Sequence, residues 1–125
     1  MNGSDLHVAG MDLPELVKGP LGIQQLRAYA EASGDFNDVH LDLESAQRAG
    51  VANVFAHGML TMSFAAQMVT QWIGIGAVRK ISVRFRAPVR LGDTIRCQGR
   101  VLGIEPCPLA RVCRYDVQVA ATNQH

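Results

Sequence analysis

The stretch Ser33-Gly34-Asp35-Phe36-Asn37-Asp38-Val39-His40 holds the residue types best suited to chemistry. Asp35 and His40 stand about 140° apart on a helix and on opposite faces of a strand, so only a turn can bring them together. Gly34, Asn37 and Asp38 are turn-forming types. A carboxylate and an imidazole at one point can share a water molecule. One then accepts its proton while the other donates a proton to a reacting carbon. Histidine titrates near neutrality, so modest tuning suits it to either role. Asn37 could orient the water or hold the turn. The plainer reading is an Asx-type turn with a solvated histidine.

A second stretch, Ala56-His57-Gly58-Met59-Leu60, directly precedes an apolar segment. Glycine lets a ligand approach the backbone closely. Free N–H groups at a helix start attract negative charge, such as that gathering on a carbonyl oxygen during reaction. Gly58 could equally serve only to pack the helix against a sheet. His57 reads as a buried, satisfied histidine and receives no chemical role. Asp35, His40 and Asp42 match no standard metal spacing, so no metal is expected. Ser33 and Ser63 lack the GxSxG setting of a serine hydrolase.

The elements that must position these residues are legible as patterns. Residues 22–32 carry Ile23, Leu26 and Tyr29 or Ala30 at helical spacing, with Gly34 as the natural stop. Residues 43–49 predict a second short helix, closed by Gly50. Residues 59–73, MLTMSFAAQMVTQWI, are apolar nearly all the way round, the mark of a buried helix about 22 Å long. Met59, Met62 and Met68 on it are most simply core. The first 20 residues read as irregular. After Gly76 the pattern switches to period two. Ile81, Val83, Phe85 and Ala87 oppose Lys80, Ser82, Arg84 and Arg86. Ile95, Cys97 and Val101 oppose Thr94, Arg96, Gln98 and Arg100. Cys113, Tyr115, Val117 and Val119 oppose Val112, Arg114, Asp116 and Gln118. Three half-buried antiparallel strands follow from this alternation, with a turn at 105–108. The fold class is α+β, a curved antiparallel sheet wrapped round the helix. The end, Thr122-Asn123-Gln124-His125, reads like the start of a further hairpin turn.

Composition narrows the function. The 125 residues are 48% hydrophobic and only 18% charged, which excludes a disordered chain and hints at a surface covered by another subunit. A net charge of +1 argues against a nucleic-acid partner. No apolar run approaches the ~20 residues that span a bilayer, and the N-terminus lacks signal-peptide features. Three cysteines without a CxxC pair fit reduced thiols in the cytoplasm. Residues 1–60 carry three basic and eight acidic side chains, a net of −5; residues 61–125 carry nine basic and three acidic, a net of +6. Eight of those nine bases are arginine. They fit solvated strand faces or, since the guanidinium fork matches phosphate, a phosphate contact.

Two motifs together resemble a known family. Tyr29 to His40, with Ala46 beyond, is similar to the hydratase signature of MaoC-like (R)-specific enoyl-CoA hydratases and (3R)-hydroxyacyl dehydratases. Ala56-His57-Gly58-Met59-Leu60-Thr61-Met62 is similar to that family's second motif. The resemblance covers roughly residues 20–121. It implies one hot-dog domain over residues 1–125, paired as a homodimer or higher assembly. It implies Asp35 and His40 as the catalytic pair, Asn37 in support, the Gly58 N–H as oxyanion donor and Ser63 beside the acyl pocket. The implied substrate is a trans-2-enoyl thioester of coenzyme A or acyl carrier protein, with no further cofactor. Its phosphopantetheine arm would give the arginines a reason. Alternatives are a non-catalytic subunit shaping a partner's acyl tunnel, and a hot-dog thioesterase. The family's usual proline after Asn37 is Asp38 here, which adds a negative charge near His40.

Overall fold

The computed structural model describes residues 7–107, 109 and 112–125. Its longest helix, α3 (Gly58–Ile73), lies against an antiparallel sheet of three strands in the order β1 (Leu16–Lys18), β2 (Ile95–Cys107), β3 (Val112–Thr122). Two shorter helices, α1 (Ile23–Ser33) and α2 (Leu43–Arg48), precede α3 and flank a single 3-10 turn at Asp38–His40. The three expected helices thus form within a residue or so of the expected limits. Gly34 ends α1 in the left-handed region at φ 79°, where a side chain would be strained.

The core sits between α3 and the inner face of β2. Leu60, Phe64, Ala65 and Met68 supply the helix side; Ile95, Cys97 and Val101 supply the sheet side. Alternation on β2 follows the expectation: those three are at most 1% exposed, while Arg96, Gln98 and Arg100 face outward. Gly99 lets the layers approach closely. A Cβ there would stand 3.1 Å from both Leu13 Cδ2 and Met68 Cε. Burial also pushes the Cys97 thiol's pKa up, against a smaller downward pull from Lys18, so it stays an inert core group.

Several expectations need correction. Residues 81–87 alternate but form no strand. A strand exists only by pairing, and among the described residues this segment joins no ladder: the sheet is β1, β2 and β3 alone, and the outer edge of β3 stays unpaired. Helix α3 is buried on one face only; Met59 is 53% exposed. The sheet covers one side of it, and apolar residues remain open on the other. Cys113 faces solvent, because β3 extends beyond the core at that end. Strand β2 runs on through Pro106 to Cys107, past the expected turn, and Pro108 lies outside the described residues. The irregular N-terminal region holds β1, paired Leu16 to Cys97 and Lys18 to Ile95. Among the described residues, no helix is long and apolar enough to cross a membrane.

Candidate active site

The turn between α1 and α2 is built by its own side chains. The Asp35 N–H donates to Ser33 Oγ at 3.2 Å, and the Asn37 N–H donates to Asp35 Oδ1 at 3.2 Å. Asn37 Oδ1 then caps the 3-10 turn by accepting from the Val39 N–H at 3.2 Å. Asn37 therefore holds the turn. Asp42, by contrast, is consumed as the cap of α2, accepting from the Ser45 N–H and hydroxyl at 3.0 and 2.7 Å. Those bonds from Ser45 also hold its carboxyl's pKa below the usual value.

The chain reversal brings the expected pair together. A carboxylate oxygen of Asp35, a ring nitrogen of His40 and a ring nitrogen of His57 all lie within 4.8 Å of one another. Asp35 is exposed, His40 is 8% exposed and His57 1%. The cluster thus has an open carboxylate above two buried imidazoles.

Backbone carbonyls fix both ring tautomers, because a carbonyl oxygen can only accept. His40 Nδ1–H donates to the Phe55 carbonyl at 2.8 Å, so the neutral ring keeps its lone pair at Nε2. His57 Nε2–H donates to the Asp35 carbonyl at 2.9 Å, which leaves the lone pair at Nδ1. That Nδ1 is buried without a partner, as is Thr61 Oγ1 one turn into α3. The two imidazoles stack at 4.0 Å between centroids and 30° between planes. Phe55 meets the edge of His40, and Tyr29 that of His57.

This stacking argues against chelation by Asp35, His40 and His57. A metal must lie in the plane of each ligating ring, about 2 Å from its nitrogen. Planes stacked in this way meet well beyond that reach. The arrangement suits proton transfer instead: imidazole nitrogens without protein partners beside a carboxylate that spends only Oδ1 on the Asn37 N–H.

Gly58 is the first residue of α3, with His57 before it as cap residue. A first-turn N–H has no acceptor within its own helix. The Phe85 ring lies over Gly58; a Cβ there would meet three of its carbons at 3.2–3.3 Å. Ser63 is exposed further along α3, its hydroxyl donating to the Leu60 carbonyl at 2.6 Å. No hydrogen bond among the described residues joins Ser63 to the Asp35–His40 cluster. The one site feature that sequence reasoning passed over is His57, which is buried but not satisfied. The only available signal was its position immediately before Gly58. A separate groove of about 290 Å³ runs between Asp12, Glu15, Gln98 and Arg100 on the other face of the sheet. It shares no residue with the cluster.

Known proteins share this sequence pattern and architecture. The chain is 33% identical to a 3-hydroxybutyryl-CoA dehydratase of Methylorubrum extorquens over 75% of its length and 61% of the relative's. It is 38% identical to an (R)-specific enoyl-CoA hydratase of Rhodospirillum rubrum over 62% of its length and 56% of the relative's. Among solved structures, the (R)-hydratase from A. caviae involved in PHA biosynthesis superposes with a TM-score of 0.78 at 25% identity, covering 98% of this chain and 89% of that one. The chain spans less than two thirds of the curated relatives it matches. The hot-dog architecture, a helix wrapped by an antiparallel sheet, is common to this chain and that solved hydratase. The family model described as MaoC like domain matches residues 10–123, and the chain belongs to that family.

Proposed function

We propose that this chain is a hydro-lyase domain that adds water reversibly across the 2,3 double bond of a trans-2-enoyl thioester, giving the (3R)-hydroxyacyl thioester. The observation that carries the reading is the convergence of the Asp35 carboxylate and the His40 ring beside His57, the residue before α3. A water held between them gives up a proton to one of the pair as its oxygen bonds to C3. The other delivers a proton to C2. The Gly58 N–H receives the thioester oxygen while negative charge builds on it. Asn37 keeps the turn closed, and Ser63 lies beside the acyl path.

The carrier is coenzyme A or acyl carrier protein. Arg84 and Arg86 support this: they are exposed, form no ion pair among the described residues, and flank the Phe85 that lies over Gly58. The functional unit is a homodimer or a larger pairing. Phe36, Met59 and Phe85, each more than half exposed around an open carboxylate, favour a covering subunit. Three free thiols fit a reducing, cytoplasmic setting. Crotonyl-CoA is the test substrate. The purified protein should consume the enoyl absorbance and yield 3-hydroxybutyryl-CoA of R configuration. An inert preparation overturns the reading, and release of free thiol would replace it with thioester hydrolysis.

A further inference from the structure

The geometry points to His57 as a positioning residue for the Asp35–His40 pair, holding the turn through its Nε2–H and bracing His40 through its ring. This rests on the hydratase reading given above. His57 lies 22 residues from Asp35 in sequence, yet its Nε2–H donates to the Asp35 carbonyl at 2.9 Å. That bond anchors the residue whose side chain must face His40. The other bonds to that residue are local, between neighbours of the same exposed turn. His57 therefore ties the Asp35 end of the turn to the protein body, as Phe55 ties its Val39–His40 end, and it does so from a side chain only 1% exposed.

The same ring stacks on His40 at 4.0 Å. His40 is held at its far nitrogen by the Phe55 carbonyl, and its ring faces are limited by Phe55 on one edge and His57 below. Rotation of the His40 ring is thus opposed on two sides. His57 also occupies the position before α3, so its side chain links Asp35 and His40 to the backbone that enters the helix carrying Gly58. The cost is a buried Nδ1 without a partner, which simple packing would not retain. A misplacement of about 1 Å between reacting groups can lower turnover by about 10²-fold.

Two substitutions separate the roles. H57F keeps a ring to stack but has no donor. H57Q places an amide N–H where Nε2 was. With crotonyl-CoA, H57F should lose about 10²-fold in kcat with KM within threefold of wild type, and H57Q should recover to within tenfold of wild type. Equal activity of H57F and wild type overturns the inference while leaving the hydratase reading intact. Equal losses in H57F and H57Q overturn the part given to the Nε2–H, since returning the donor then returns no activity. The ring ¹⁵N shifts of wild-type His57 give an answer independent of turnover and of whether H57F folds. A protonated Nε2 supports the inference; a bare Nε2 overturns it. A wild-type protein inert toward enoyl-CoA would sink the hydratase reading instead, and the ¹⁵N shifts would still decide whether His57 holds the turn.

Discussion

Replacing Gly58 by alanine separates a catalytic backbone donor from a packing glycine. The new methyl would stand 3.2–3.3 Å from three carbons of the Phe85 ring. Comfortable carbon–carbon contact is about 3.5–4.0 Å, so the ring must retreat by a few tenths of an ångström. Phe85 is 56% exposed and has room to do so. Alanine also favours the helix over glycine by up to about 1 kcal/mol, less at its first position. The two effects oppose each other, so folding stability should change by less than about 1 kcal/mol, or roughly 4 °C in Tm. The reaction should respond differently. A methyl beside the Gly58 N–H keeps a thioester oxygen from reaching it, and losing one such donor costs about 10²–10³ in kcat, or about 3–4 kcal/mol. Thermal melting and crotonyl-CoA hydration on the same preparation compare the two quantities directly. G58A/F85A serves as the control: removing the ring relieves the clash, and turnover should stay low. Wild-type turnover in G58A, or recovery of turnover in the double variant, would refute the oxyanion role and leave Gly58 as a close-packing residue.

Two further outcomes follow from the same geometry. D35N and H40Q should each lower enoyl-CoA hydration by about 10²–10⁴-fold, and the double variant should be little worse than the poorer single one, because the pair acts as a unit; multiplied losses in steady-state assays would contradict this. Asp93 sets an acid limit on the fold. Burial pushes its carboxyl's pKa up, but the Arg90 N–H at 2.9 Å, the Asn123 amide at 3.2 Å and the charges of His125 and Arg90 together hold it below the usual 3.8. A carboxyl with a lowered folded pKa contributes its stability above the unfolded value and loses it as pH falls through the folded one. D93N should therefore cost about 1–2 kcal/mol at pH 7 and progressively less as acid protonates the folded carboxyl, as read by urea unfolding; a cost that does not change with pH would rule out the ionised anchor.

Helices α1, α2 and α3 were legible because each carries its own signals: apolar spacing, with Gly34 and Gly50, both at positive φ, closing the first two. The turn bearing Asp35 and His40 was legible for the same reason, since Asn37 and its neighbours close it locally. Strands carry only half their cause. Residues 81–87 have the right alternation, but the remaining requirement is a neighbouring strand, which no local pattern specifies. Strand β1 erred the other way: three residues between Pro14 and Gly19 are too few to show a period, yet β2 offers them an edge. His57 shows the same limit at the site. Its ring nitrogen gains meaning only from a carbonyl that the fold delivers from Asp35.

The divided charge of the chain resolves in the same long-range manner. Arg96 pairs with Glu15 at 2.7 Å and Arg100 with Asp12 at 2.9 Å, so the basic half meets the acidic half across the outer face of β2. Both pairs are exposed, and such pairs contribute little to stability. Main-chain bonds do the holding: Gly10 and Leu13 N–H groups donate to the Val101 and Gly99 carbonyls, and Val101 N–H donates back to Met11. The arginines instead favour one register, because a one-residue slip would turn Asp12 and Glu15 toward the apolar layer. Arg114 likewise pairs with Glu105 across the β2–β3 hairpin. Solvated strand faces thus account for three of the arginines in that half. Arg84 and Arg86 have no such partner among the described residues, and they sit on the alternating segment that lacks a neighbouring strand. The fold thus leaves two exposed guanidinium groups flanking Phe85, whose ring lies over Gly58, and any anionic partner for them must come from outside the described residues.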